Sequence, residues 1–416
     1  MKDVTLSCSA TTPTSSPTTT TSSSSSSSFF NGCKFSPDST CLLTSDSSTS
    51  SLHLYEPKKS STPLAPVFTS KEGSTVYDYD WYPLMSSADP PSCSFLSSSQ
   101  GSPLHLWDAF TGALRSSYVA YDHNDEPTSA TCCRFSPDGE HIYAGYLSAV
   151  RVFRTGLPGR VCDLRRTVKA RKVKSGQKGL ISALACNPAL STYAAGSYGG
   201  SIYVYDERDG TLVQESCTEQ VVEGSKVNSA SAGKRKPEEE DEDIMAVAAA
   251  AKAQLHARGA KKGVTQLEWS VDGRRLFSSS RHSDAVLCWD VRMSSRPVVS
   301  YGRDGSSNQT LQFCLDPTES LLFVGSREAK LRAYDAQSGA EQGAVGEEQG
   351  IRDACNGVSV TFDSDGVSGH FAVATGQRHF GVARYDGSDS DDSDSDSESD
   401  EDEDMGGDLK VFSFKY

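Results

Sequence analysis

The sequence predicts an all-β fold: seven four-stranded sheets set radially around a ring, a β-propeller. Three observations carry this reading. A unit recurs along the chain, consisting of a short strand, a turn with Pro or Gly, a strand of small residues, and a strand that ends in an aromatic residue usually followed by an acid. The spacing is regular, because five of the six complete units place the closing aromatic 17 to 19 residues after the turn residue and the second unit places it 25 after. The strands are apolar on both faces, as in Ile202-Tyr203-Val204-Tyr205, so each must lie between two sheets. Sheets stacked face on face leave two bare ends unless the series closes on itself, which a propeller achieves.

The units follow in order. The first runs from Cys33-Lys34-Phe35-Ser36-Pro37-Asp38 to Tyr55-Glu56, and the second from Tyr79-Asp80-Trp81-Tyr82-Pro83 to Trp107-Asp108. The third runs from Cys133-Arg134-Phe135-Ser136-Pro137-Asp138-Gly139 to Phe153-Arg154, and the fourth from Leu184-Ala185-Cys186-Asn187-Pro188 to Tyr205-Asp206. The fifth runs from Leu267-Glu268-Trp269-Ser270-Val271-Asp272-Gly273 to Trp289-Asp290, and the sixth from Phe313-Cys314-Leu315-Asp316-Pro317 to Tyr334-Asp335. A seventh, interrupted unit offers Val358-Ser359-Val360, Phe371 to Gly376 and Leu409 to Ser413 as strands.

Three segments interrupt the pattern. Residues 1–28 are a Ser/Thr-rich tail, expected to be disordered because they bury too little apolar area to offset ordering entropy. Residues 213–262 form an insertion with Lys234-Arg235-Lys236-Pro237, six acids and an alanine run of high helix propensity. Residues 384–408 form an acidic Asp/Ser insertion that repels itself. Setting these aside leaves about 45 residues for each of seven units in 29–416, close to the ~40–45 of a WD-type blade. The seventh unit lacks a fourth strand, and Val4-Thr5-Leu6 is the apolar candidate to close the ring.

Composition bounds the function. The chain has 416 residues and a formal charge of −15, but Asp386–Asp408 and Glu238–Asp243 hold 19 acids between them, and without these the balance is +4. No run of 18 apolar residues exists, so a membrane span is excluded, and the first ten residues lack the apolar core of a secretory signal. The 12 cysteines include no Cys-x-x-Cys pair, which favours a reduced compartment with cysteine as a small core residue, over zinc or disulfides. No phosphate-binding loop or His-Glu-x-x-His is present, so neither a cofactor nor a metal is expected. Ser102, His105 and Asp108 do not have the arrangement of a catalytic triad, and the chain reads as a non-enzyme.

Several strings go beyond what a blade requires. They are Val76 to Ala88, Pro103-Leu104-His105-Leu106-Trp107-Asp108-Ala109-Phe110-Thr111-Gly112 and Ala120-Tyr121-Asp122-His123-Asn124-Asp125-Glu126. Ala195 to Gly199, Leu287 to Arg292, Asn356 to Ser359 and Ala374 to Arg378 join them. Over Phe29 to about Arg378 the chain resembles the telomerase Cajal body protein family of WD-repeat proteins, although only Trp107-Asp108 and Trp289-Asp290 are literal Trp-Asp pairs. The resemblance implies a nuclear, RNA-binding scaffold. It implies recognition of box H/ACA small Cajal body RNAs, telomerase RNA included, and company with H/ACA ribonucleoprotein and telomerase proteins in Cajal bodies. The alternative is a WD-repeat scaffold of a nuclear complex without RNA contact.

The residues supply a candidate interface. Between Arg160 and Lys178 the chain carries Arg160, Arg165, Arg166, Lys169, Arg171, Lys172, Lys174 and Lys178 against one acid, Asp163. Such a segment neutralises phosphates, although lysines on an edge strand also merely block aggregation. Unpaired bases stack on loop aromatics, for which Tyr82, Tyr121 and Tyr198 are the candidates, with His123 nearby. Trp81 and Trp107 fall inside strands and are expected in the core. Lys234–Pro237 is a candidate nuclear import signal, and six serines among the acids of Gly387–Asp404 suit an acidophilic kinase. Closing the ring joins distant segments, which predicts slow folding and assistance from a cytosolic chaperonin.

Overall fold

The computed structural model describes residues 2–11, 28–57, 63–168, 176–217, 263–293, 296–362, 368–377 and 407–415. Seven four-stranded antiparallel sheets make up the ring, with a two-stranded ribbon, Ala120–Tyr121 with Pro127–Thr128, beside it. In each sheet the first strand lies innermost, packed against the first strand of a neighbouring sheet. Blade 1 comprises Phe30–Phe35, Leu42–Asp46, Ser51–Tyr55 and Phe68–Lys71, and blade 2 comprises Val76–Trp81, Ser94–Ser99, Leu104–Asp108 and Leu114–Tyr118. Blade 3 comprises Cys132–Phe135, His141–Tyr146, Ala149–Arg154 and Cys162–Arg166. Blade 4 comprises Ile181–Cys186, Thr192–Ser197, Ser201–Asp206 and Leu212–Cys217. Blade 5 comprises Val264–Trp269, Arg275–Ser280, Ala285–Asp290 and Val299–Gly302. Blade 6 comprises Phe313–Leu315, Leu321–Gly325, Leu331–Asp335 and Glu341–Val345. Blade 7 comprises Cys355–Phe362, Ser368–Thr375, Asp408–Lys415 and, outermost, Lys2–Thr11.

That last strand corrects two sequence expectations. The closing strand does contain Val4–Leu6 but runs ten residues, Lys2–Thr11, so the first part of 1–28 is an ordered strand, registered from Lys2 opposite Lys415 to Thr11 opposite Asp408. Its inward residues are small, such as the buried Cys8 and Ala10, which is why its hydrophobic pattern is faint. The boundary at 213 also moves. Leu212–Cys217 is the fourth strand of blade 4, paired antiparallel with Ser201–Tyr205 with one register shift between Val204 and Tyr205, and its polar Gln-Glu-Ser stretch suits a sheet edge. The rest of that insertion, Lys234–Pro237 included, and the acidic run lie outside the described residues.

Seven apolar clusters fill the seven junctions. Leu43, Trp81 and Phe95 join blades 1 and 2, and Tyr118, Cys133 and Phe153 join blades 2 and 3. Tyr143 and Leu184 lie between blades 3 and 4, Val204 and Trp269 between 4 and 5, and Phe277 and Phe313 between 5 and 6. Phe323 and Phe371 lie between 6 and 7, and Phe30 and Ala372 between 7 and 1, so the circle is complete. Each fully buried aromatic or aliphatic side chain contributes roughly 1.5–3 kcal/mol. The second strands consist of small residues because the blades crowd together near the axis. A Cβ on Gly145 would meet Ile181, one on Gly196 would meet Val264, and one on Gly325 would meet Cys355, in each case the first residue of an adjacent inner strand.

Strand direction alternates along every sheet. Turns joining first to second and third to fourth strands therefore lie on one face, and the remaining turns and blade-to-blade crossovers lie on the other. The ordered ends that flank 12–27, 169–175, 218–262 and 378–406 all stand on this second face, hereafter the crossover face.

The tryptophan indoles inside the ring are all paired. Trp107 and Trp289 donate to Ser97 Oγ and Ser278 Oγ, both at 2.8 Å, and Trp81 and Trp269 donate across blades to the carbonyls of Lys34 and Ala185, both at 3.0 Å. His105 faces Glu72 at 3.0 Å, while Asp108 caps its own turn and binds Arg115 at 2.8 Å, so His105 and Asp108 belong to separate structural networks. Eleven cysteines among the described residues are free thiols, eight of them buried.

Candidate nucleic-acid interface

The outer rim between blades 2 and 3 gathers part of the predicted site. The chain leaves blade 2 at Tyr118, pairs briefly with Gly159 and forms the small ribbon. Tyr121 is thereby placed beside the turn before the outer strand of blade 3, and the Arg160 guanidinium lies over its ring at 5.0 Å. The Tyr121 carbonyl accepts from Arg151. At the ribbon tip, the Asp122 carboxylate accepts from the backbone N–H groups of Asn124 and Glu126, which hold it below the usual carboxylate range. The His123 side chain is 85% exposed, 3.9 Å from Asp122. Arg166, at the end of the outer strand, is exposed.

Two other predicted residues are occupied in packing. Arg165 lies between two blades, with its guanidinium 5.7 Å from the rings of both Tyr143 and Tyr193, and it binds Asp163 at 2.9 Å. Tyr82 meets Phe135 edge-to-face at 5.6 Å and covers the turn at Gly139. Lys169, Arg171, Lys172 and Lys174 lie outside the described residues.

The neck of that basic loop is nevertheless built in detail. Thr167 N–H donates to the Ser148 carbonyl, Gln177 N–H to the Thr167 carbonyl, and Thr167 Oγ1 to the Gln177 carbonyl. The buried Gln177 amide donates to Ala195 and Ser201 and accepts from Tyr205. These bonds fix where the loop leaves the crossover face. Lys178 follows the neck and is exposed.

One group of metal-ligand type occurs among the described residues: Asp138, Glu140 and His141, in a turn of blade 3. Asp138 there accepts from Ser136 Oγ and from Glu140 N–H, as Asp38 and Asp272 accept from Ser36 and Ser270 in their own turns. The carboxylate thus closes a turn that recurs around the ring. Near the axis, Lys34, Asp78, Asp80, Arg134 and Glu268 form a second polar group. Asp78 binds Arg134 at 2.6 Å and Asp80 binds Lys34 at 3.2 Å. Burial pushes the Glu268 carboxyl up to about 7, against the opposing pull of the Leu315 amide and of Arg134 and Lys34.

Fold and rim define a seven-bladed WD-repeat-type propeller with a basic, aromatic-bearing outer edge. No family model matches the sequence. The curated telomerase Cajal body protein 1 of Homo sapiens is 36% identical over 364 residues, covering 85% of this chain and 58% of its own length. That of Bos taurus is 35% identical with the same coverage, and the Drosophila melanogaster homolog is 31% identical over 368 residues, 85% of this chain and 58% of its own. The chain belongs to the telomerase Cajal body protein family, and it spans under two thirds of the length of these relatives.

Proposed function

We propose that the chain is a non-catalytic nuclear scaffold that recognises box H/ACA small Cajal body RNAs, telomerase RNA among them, and directs these particles to Cajal bodies. The observation that carries the reading is the Arg160–Tyr121 pair on an exposed basic rim, in a chain whose relatives are named for telomerase and the Cajal body. Tyr121 and His123 offer ring faces to unpaired bases, and Arg160 and Arg166 neutralise phosphates. Lys169, Arg171, Lys172 and Lys174 extend the same charge. Arg165 and Tyr82 shape the rim from beneath. The partners are H/ACA ribonucleoprotein and telomerase proteins, with a cytosolic chaperonin during folding.

Crosslinking of the full chain in nuclei, followed by sequencing of bound RNA, tests the reading. Enrichment of box H/ACA small RNAs supports it. Background RNA together with recovery of a protein complex supports a scaffold without RNA contact instead.

A further inference from the structure

Beyond the rim of blades 2 and 3, a second cluster stands on the crossover face where blades 4 and 5 meet. Tyr198, in the turn between the second and third strands of blade 4, is 41% exposed. Its N–H donates to the Leu180 carbonyl at 3.0 Å, which ties it to the exit of the basic loop, next to Lys178. Its ring lies against the backbone of Gly263, where a side chain would collide. Arg281, from the corresponding turn of blade 5, places its guanidinium 5.3 Å from the centre of that ring.

Arg281 is itself anchored. Its N–H donates to the Gly263 carbonyl at 2.9 Å, and its Nη1 donates to the Asn308 carbonyl at 2.7 Å. His282 adopts a left-handed backbone, φ 52°, and its Nε2 meets Asn308 Oδ1 at 2.7 Å. With that oxygen engaged, the exposed Asn308 amide nitrogen is left to donate.

An exposed tyrosine, an arginine held over it and a free amide donor form the kind of platform that grips an extruded base. The base stacks on the tyrosine–arginine pair, and the amide reaches its edge. We propose that Tyr198, Arg281 and Asn308 form a base-stacking site for single-stranded RNA, separate from the phosphate-binding rim. This rests on the RNA reading above and adds a second contact to it. A strand held by both sites would cross the neck of the basic loop, which Thr167 and Gln177 pin between them.

The test is fluorescence polarisation of the full chain with a labelled 12-nucleotide single-stranded RNA, and with a copy carrying abasic positions. Tyr198→Ala should weaken binding of the intact RNA on the order of ten-fold. It should leave the salt dependence unchanged and barely affect the abasic RNA. Arg281→Gln should weaken binding and lower the salt slope by about one. Tyr198→Phe should bind nearly as the parent does. Unchanged melting temperatures establish folding, and Arg281→Gln serves if Tyr198→Ala misfolds. If Tyr198→Ala and Arg281→Gln bind as the parent while Arg160→Gln with Arg166→Gln loses affinity, the stacking site is refuted and the RNA reading stands. If the parent binds neither RNA, both fall.

Discussion

Asp78 and Arg134 stand on the innermost strands of neighbouring blades, and their side chains meet at 2.6 Å. The same carboxylate accepts from the Cys133 backbone N–H at 3.1 Å and faces Lys34 of blade 1 at 3.8 Å. One side chain thus ties three blades together near the axis. Burial works to raise its carboxyl, but Arg134 and Lys34 more than offset this and hold it below the ordinary range. Asp78→Asn takes from Arg134 its directly bonded carboxylate in a partly buried site, while Lys34 keeps Asp80, and should cost ~2–4 kcal/mol, read as a shift in the chemical-denaturation midpoint. A change within 0.5 kcal/mol would show that the three-blade tie carries no stability.

Glu268 predicts a stability change of definite sign with pH. Its folded-state carboxyl titrates at about 7, above the ordinary value of 4.5, so the folded protein binds the extra proton between those limits. Its contribution is most favourable at low pH, is lost as pH rises toward 7, and stays lost above. Glu268→Gln should therefore raise the melting temperature at pH 8 and change it little at pH 5. An equal gain at both pH values would contradict the assignment.

Glu72 predicts the opposite sign. Burial raises its carboxyl, yet His105, Ser97 and Ser99 together bring it below the ordinary range. Its contribution is present at neutral pH and lost as the solution is acidified through the folded-state value. Glu72→Gln should be destabilising at pH 7 and approach the parent in acid, as followed by thermal melts across pH.

Arg160 and Arg165 are both basic and only five positions apart, but their consequences should separate. Arg165→Gln removes the wedge between Tyr143 and Tyr193 and should lower stability by ~1–2 kcal/mol. Arg160→Gln should leave the melting temperature unchanged and reduce the salt slope of RNA binding by about one. Loss of RNA binding without loss of stability at Arg165 would reverse these roles.

Ring closure predicts a large effect from a small residue. Ala10 is buried between blades 7 and 1. Ala10→Asp places a charge there and should cost at least ~3 kcal/mol, seen as a lower denaturation midpoint. A melt like the parent's would mean the amino-terminal strand is dispensable.

Much of the ring is legible in the sequence because inner strands alternate little and end at marked turns. Ser36-Pro37-Asp38 and Ser270-Val271-Asp272-Gly273 announce their hairpins, and Trp107 and Trp289 close their third strands. Edge strands are harder to see. Leu212–Cys217 and Lys2–Thr11 are polar or small, and what makes them strands is a partner, in one case almost the whole chain away. The site is less legible for the same reason. The charges of Arg160 and Arg165 are equally visible, but nothing local shows that Tyr143 and Tyr193 enclose one of them. The Arg281–Tyr198 pair joins two turns separated by a long insertion, and the only signal was an aromatic among glycines at Ser197-Tyr198-Gly199-Gly200.

The pairing of Lys2–Thr11 with Asp408–Lys415 has a consequence for synthesis. A ribosome releases the opening strand long before its mate exists, so the growing polypeptide carries an unsealed apolar seam until translation nears residue 415. A premature stop that removes even the final eight paired positions would not yield a slightly shorter wheel. It would leave a hoop with no clasp, and that product should meet the quality-control machinery before it meets any partner.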